Sequence, residues 1–206
     1  KSFLEDMNFE KYVDMAINMP LLFTYKNGNH LREEGKTFKD FMEGKLSALK
    51  NTQANIKDFE THLATIFSEI RLKQYIEIRS LDTCEWDCHC GGPAFYTGLI
   101  YGNLDEASEV INEWKISEVL NAYVEAPRKG LNSIINNKTL LEWGKVFLNL
   151  AKKGLEKRSI KNSSGNDETI FLRSVESVLN NNKSKADLTI QKFKDKKDLE
   201  FLYEKN

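Results

Sequence analysis

Apolar positions recur along this chain with two different periods, and the change of period separates its elements. Phe9, Tyr12, Val13, Ala16 and Ile17 fall at i, i+3, i+4, i+7 and i+8, which predicts an amphipathic helix over residues 8–19 that Pro20 ends. Leu21–Tyr25 and His30–Arg32 flank Lys26-Asn27-Gly28-Asn29, and Asn-Gly between β-prone runs predicts a hairpin. Thr37 is placed to cap a short helix carrying Phe38, Phe41 and Met42. Phe59, Leu63, Ile66 and Phe67 form the apolar face of a helix over 56–67. From Ile70 to Ser80 the period drops to two, the mark of a strand. The even positions are Ile70, Leu72, Gln74, Ile76 and Ile78, a greasy face suited to packing on helices. The odd positions are Arg71, Lys73, Tyr75, Glu77 and Arg79. A loop carrying Cys84, Trp86, Cys88, His89 and Cys90 follows, and Gly91-Gly92-Pro93 opens a helical remainder.

The helices expected there are 93–101, 104–114, 117–124, 140–158, 168–180 and 186–203, with Asn162–Asn166 as a loop between two of them. No Pro occurs after Pro127, no Gly after Gly165, and no internal repeat is visible. The count is many helices, one hairpin and one strand, an α+β chain that is mostly helical. A lone strand needs partners, so part of its sheet is expected outside this chain.

Composition narrows the function classes. The 206 residues carry 30 basic and 31 acidic side chains for a net charge of −1, with 40% hydrophobic and 30% charged residues. That gives enough apolar content for a core, and no basic excess of the kind nucleic-acid binders show. No apolar run reaches the ~18 residues of a membrane span; the longest mostly apolar stretch is Gly91–Gly102. No signal-peptide pattern opens the chain, and three clustered cysteines do not make a secreted disulfide scaffold, so a cytoplasmic location is expected. The chain begins at Lys1 without an initiating Met, which is read as a processed product or a piece of something longer.

The polar strand face is the first candidate for chemistry. Successive members of such a face stand about 6.5 to 7 Å apart. Its bland reading is a solvated face with alternating charges. Its functional reading is a cleft wall in which arginine forks hold phosphate or carboxylate, with a glutamate orienting an arginine or approaching a metal. Cys84, Cys88, His89 and Cys90 carry zinc-ligand chemistry, but Cys-x3-Cys-His-Cys is not a standard finger, and free structural or redox-responsive thiols are the preferred reading. Lys192, Lys194, Lys196 and Lys197 interleave with Asp195, Asp198 and Glu200 and read as a solvated helix face. No phosphate-binding glycine loop, dinucleotide fingerprint or zincin helix is present.

The run from Thr61 to Arg79, Thr-His-Leu-Ala-Thr-Ile-Phe-Ser-Glu-Ile-Arg-Leu-Lys-Gln-Tyr-Ile-Glu-Ile-Arg, resembles a signature of plant and proteobacterial glutamate–cysteine ligases. Phe9–Asp14, Pro20–Gly28, Thr37–Phe41 and Gly44–Leu46 upstream are also similar, as are Pro93–Phe95, Gly98–Tyr101 and Ala151–Arg158 downstream. The resemblance covers most of the chain and thins toward its end. It implies the C-terminal portion of one catalytic domain with a glutamine-synthetase-like fold. Residues 1–82 would supply a helix, a hairpin and a site-lining antiparallel strand, and residues 83–206 a helical part. It further implies ATP and Mg2+ as cofactors, glutamate and cysteine as substrates, and the N-terminal half of the same enzyme as partner; neither nucleic acid nor membrane is expected. The family's metal-binding glutamates lie mainly in that other half, so no metal ligand is assigned here.

The implied reaction joins the γ-carboxylate of glutamate to the amine of cysteine through an acyl phosphate. Arg79 and Glu77 are taken as catalytic, with Arg79 and Arg71 as anion contacts and Glu77 holding an arginine or approaching the metal. Tyr75, Lys73 and Leu22 are taken as further substrate contacts. Leu22 stands where the family commonly has a Tyr of the cysteine pocket, Ser68 where a Pro is usual, and Gln74 where an Arg is usual. Cys90 aligns with a cysteine that plant members use in a regulatory disulfide. Alternatives are a related carboxylate–amine ligase with another amine, a non-catalytic helical binding module, and a zinc-binding interaction domain built on residues 84–90.

Overall fold

In a computed structural model, the structure describes residues 7–50, 52–82, 84, 86–197 and 200. The chain divides into two compact units, residues 1–82 and 83–206.

The first unit is built on three helices and two hairpins. Helix α1 (Phe9–Ile17) is capped by the Asn8 side chain, α2 (Phe38–Met42) by a Thr37–Asp40 capping box, and α3 (Ile56–Ala64) by an Asn55–Asp58 box. Strands β1 (Thr24–Lys26) and β2 (Asn29–Leu31) join through Asn27 and Gly28, both at positive φ, the backbone that the Asn-Gly pair selects. Leu21, Phe38, Phe41, Leu46 and Leu49 form one core, and Tyr12, Ala16 and Ile66 a second, with Phe59 packed against both. His62 is fully buried; its Nε2 lies 2.8 Å from the Ala16 carbonyl and its ring stacks on Phe38. Asp58 is also buried, and it accepts from the Lys26 ammonium at 2.8 Å and the Asn55 backbone amide at 2.9 Å.

The segment read as one strand over 70–80 folds back on itself. Strands β3 (Ile70–Leu72) and β4 (Ile76–Ile78) are antiparallel, with Ile70 opposite Ile78, Arg71 opposite Glu77, and Leu72 opposite Ile76. The Lys73 amide donates to the Tyr75 carbonyl at 2.9 Å and closes the turn. The greasy face is not covered as expected. Leu72 packs against the Tyr12 cluster, but Ile70 and Ile76 are exposed, Ile76 to 66%. Helix α3 also stops before Phe67, which is 73% exposed instead of lying on a buried helix face.

Among its described residues, the second unit is mainly helical, with one small hairpin. Its helices are α4 (Gly91–Thr97), α5 (Leu104–Asn112), α6 (Ile116–Lys129), α7 (Leu140–Arg158), α8 (Arg173–Asn181) and α9 (Lys185–Lys196). The end of the last expected helix, residues 201–203, lies outside the described residues. Short 3-10 turns span Trp86–Cys88 and Glu168–Leu172, and a π-helical turn spans Gly98–Gly102. Strands β5 (Ile134–Ile135) and β6 (Lys138–Thr139) form a hairpin that the periodicity did not predict, turning on Asn136 and Asn137 at positive φ.

Helix α7 is the axis of this unit. One face packs Trp143, Phe147 and Leu150 with Ala107, Ala122 and Ile135; the other packs Leu148 and Leu155 with Ala94, Leu172 and Leu179. Gly98 and Gly102 meet α7 at Ala151 and Gly154 so closely that an added Cβ would collide with main-chain carbonyls. Cys84 and Cys88 are joined as a disulfide, so they are not the free thiols expected; Cys90 is free and exposed.

Candidate active site

Three of the polar-face residues meet at the open end of the β3–β4 hairpin. The register places Arg71 and Glu77 directly across from each other. The Arg71 Nε donates to Glu77 Oε2 at 2.8 Å, and one terminal nitrogen lies 2.7 Å from the same oxygen. The other terminal nitrogen donates to the Ala64 carbonyl at the end of α3, at 2.5 Å. Arg71 is only 9% exposed, so its guanidinium is spent on these partners. A cation at a helix C-terminus also meets the negative end of the helix dipole.

Glu77 Oε1 faces a second arginine. Arg79 donates to it from Nη1 at 3.3 Å, and its guanidinium carbon lies 5.2 Å from the centre of the Phe67 ring. The Arg79 backbone amide donates to the Glu69 carbonyl at 2.8 Å, which fixes the main chain beside the side chain. Glu77 therefore holds both arginines. Arg79, with a side chain exposed to 25%, retains donors for a ligand where Arg71 does not. Phe67 was not expected among the site residues; the aromatic within the Thr61–Arg79 run is its only sequence signal.

The remaining candidates sit elsewhere. Lys73 and Tyr75 are exposed on the turn, where they line a groove of about 820 Å3 against α3 together with Lys57, Glu60 and Thr61. Leu22 is exposed on the segment leading into β1, beside the buried Leu21, and takes no part in the Arg71–Glu77–Arg79 network. Tyr12, which sequence reasoning read as an apolar helix position within the family-like Phe9–Asp14 segment, anchors the hairpin: its hydroxyl accepts from the Leu72 amide at 3.0 Å.

A metal fits this arrangement poorly. Both Glu77 oxygens face guanidinium groups, and among the described residues no three His, Cys, Asp or Glu side chains are grouped to hold an ion. The zinc reading of residues 84–90 loses two of its ligands to the disulfide.

The sequence profile of the glutamate-cysteine ligase family 2 matches residues 1–205. This chain belongs to that family. It is 33% identical over 196 residues to glutamate–cysteine ligase A, chloroplastic, of Oryza sativa subsp. indica, covering 94% of this chain and 39% of the relative. It is 35% identical over 179 residues to the chloroplastic glutamate–cysteine ligase of Solanum lycopersicum, covering 86% of this chain and 33% of the relative. It is 36% identical over 179 residues to that of Brassica juncea, covering 86% and 34%. This glutamate–cysteine ligase family chain thus spans well under half the length of these relatives. Its Thr61–Arg79 run carries the last turn of α3 and the arginine hairpin.

Proposed function

We propose that this chain supplies the arginine hairpin of an ATP-dependent glutamate–cysteine ligase, and that Arg79 contacts an anionic group of the reacting substrates. The observation that carries this is the division of labour at Glu77: one arginine is buried and fully engaged, the other is held by its carboxylate and still reachable. In the reaction, the glutamate γ-carboxylate attacks the terminal phosphorus of ATP, forming an acyl phosphate and releasing ADP. The cysteine amine then attacks the acyl carbon, and phosphate leaves. Charge on the transferring phosphoryl group is stabilised by fixed cations that do not reorganise during the step. Arg79 suits that role because Glu77 and the Phe67 ring limit its rotamers before substrate arrives. Arg71 acts through Glu77 as a positioning residue. Magnesium would add charge neutralisation, but no step is assigned to it, because the described residues offer it no carboxylate set.

The free edge of β3–β4 and the exposed Ile70 and Ile76 support the reading that this hairpin joins a larger antiparallel sheet of the glutamine-synthetase type. The remaining strands would come from the N-terminal half of the enzyme. Leu22 favours attention to a second reading, a related ligase with another amine, since an aliphatic side chain offers no hydroxyl to a polar amine substrate.

In the full-length enzyme, Arg79→Ala is expected to lower kcat/KM for glutamate, ATP and cysteine by about 10²–10³-fold, with Arg79→Lys recovering part of it. Kinetics of Arg79→Ala close to wild type would remove Arg79 from the site. The amine is tested by competing cysteine with other amino acids in the same assay.

A further inference from the structure

The two edges of the β3–β4 hairpin are not equivalent. The Lys73 amide donates to the Tyr75 carbonyl and the Arg79 amide to the Glu69 carbonyl, and Arg71 stands opposite Glu77 between them. Odd-numbered residues therefore make the ladder bonds inside the hairpin. Even-numbered residues turn their N–H and C=O groups outward, Ile70 and Leu72 from β3, Ile76 and Ile78 from β4.

The outer edge of β3 is closed. The Leu72 amide donates to the Tyr12 hydroxyl at 3.0 Å, and the Ile70 carbonyl accepts from the Ser68 hydroxyl. Tyr12 and Ala16 of α1 belong to the core cluster on which Leu72 packs, so a strand approaching from this side would have to displace a helix. The outer edge of β4 has no such cover. Among the described residues nothing hydrogen-bonds to the main chain of Ile76 or Ile78, and Ile76 is exposed.

We propose that β4, and not β3, receives the next strand of the sheet, an extended segment from the part of the enzyme that this chain does not span. This rests on the reading of the hairpin as part of a ligase sheet, and it names the edge, the register and the pattern of the partner. The chain covers 39% of the rice relative, so the rest of such an enzyme can supply the segment. In an antiparallel pairing, its residues opposite Ile76 and Ile78 exchange both main-chain bonds with them and lie on the apolar face. The residue between those two faces Glu77 in a non-hydrogen-bonded pair, where Cα atoms approach to ~4.5 Å. Its side chain lies on the polar face, beside the carboxylate that holds Arg79. The segment therefore reads apolar–polar–apolar, and its middle residue forms a wall of the Arg79 site. β3 remains the outermost strand, because Tyr12 and Ser68 occupy positions that a further strand would bond.

The test is residue-resolved hydrogen exchange on the full-length enzyme. The Ile76 and Ile78 amides are expected to exchange ~100-fold or more slowly than the Ile70 amide, which points out from β3. Proline reads the same asymmetry through activity, since it removes an N–H and is tolerated in a sheet only where that group bonds to no neighbouring strand. Ile78→Pro should lower kcat/KM about 10-fold or more, and Ile70→Pro less than about 3-fold. The exchange pattern of the unaltered protein decides the matter even where a proline variant fails to fold. Fast exchange at Ile76 and Ile78, stronger protection at Ile70 than at either, or wild-type kinetics of Ile78→Pro would each overturn the proposal. So would protection at Ile76 and Ile78 that fades on dilution, the sign of a second copy on that edge. The catalytic reading fails separately: near-wild-type kinetics of Arg79→Ala would remove Arg79 from the site and leave this exchange pattern standing.

Discussion

Glu77 and His62 both tie elements of the first unit together, by opposite means. Glu77 is charged and satisfied: one oxygen takes Arg71, the other Arg79. Removing its charge leaves Arg71, buried against the end of α3, without its counter-ion. Glu77→Gln is expected to lower the unfolding free energy by about 1–3 kcal/mol, read from urea midpoints, and to reduce kcat in the full-length enzyme. Glu77→Asp should restore some of both. A Glu77→Gln protein with wild-type stability would show that the Ala64 carbonyl alone suffices for Arg71.

His62 is uncharged and only half satisfied. The Ala16 carbonyl can only accept, so Nε2 carries the proton, and Nδ1 is a buried nitrogen with no hydrogen-bond partner. Burial pulls the His62 pKa below its ordinary value of 6.5, and the bond to Ala16 offsets this in part. The unfolded chain therefore takes up the proton first as pH falls. Stability from this group is complete above about pH 6.5 and declines below it, continuing down to the lowered folded-state value. His62→Gln should flatten the difference in urea midpoint between pH 7.5 and 5.5, even if it lowers both. An unaltered pH slope would assign the acid sensitivity to other groups.

At the scale of elements, the β3–β4 hairpin separates what alternation encodes from what it leaves open. Read as a straight strand, residues 71 and 77 would stand about 20 Å apart; in the hairpin their side chains are 2.7 Å apart. The face assignment nevertheless survives, because the register pairs positions of equal parity, so Arg71 and Glu77 remain on the same side. The turn was hidden because Lys73-Gln74-Tyr75 contains none of the Gly, Pro, Asn or Asp residues that mark turns. The β5–β6 turn did carry a signal, Asn136-Asn137, but two-residue strands are too short for alternation to register.

Helix α7 was legible from Leu140 to Arg158, because nineteen residues give periodicity room to repeat, while its Thr139 cap emerged only in the structure. The reason for Gly154 was not, since close approach depends on a partner helix. Gly154 has Gly98 and Gly102 against it, with no space for a methyl group. Gly154→Ala should lower stability by about 1–3 kcal/mol, the cost of overpacking, measured by thermal or urea unfolding. A neutral effect would mean that the Gly98–Gly102 turn can slide away from α7.

At the scale of the whole molecule, the apolar surface around the hairpin is the feature a self-sufficient domain would hide. Phe67, Ile70, Tyr75 and Ile76 are each at least half exposed, and among the described residues the β3–β4 ladder has no third strand. An exposed two-stranded edge with apolar side chains is a template for further pairing. The chain also spans only 39% of the rice relative it matches, so its relatives contain much sequence from which such a cover can come. Expressed alone, the chain is expected to self-associate in a concentration-dependent way through this edge. Ile76→Lys should shift it toward monomer in analytical ultracentrifugation, because one ammonium per copy makes edge-to-edge pairing bring like charges together. The same substitution in the full-length enzyme should instead impair folding or activity, since there the position would be covered. Monodisperse behaviour of the unaltered chain, or tolerance of Ile76→Lys in the full enzyme, would separate the exposed edge from the sheet it is proposed to complete.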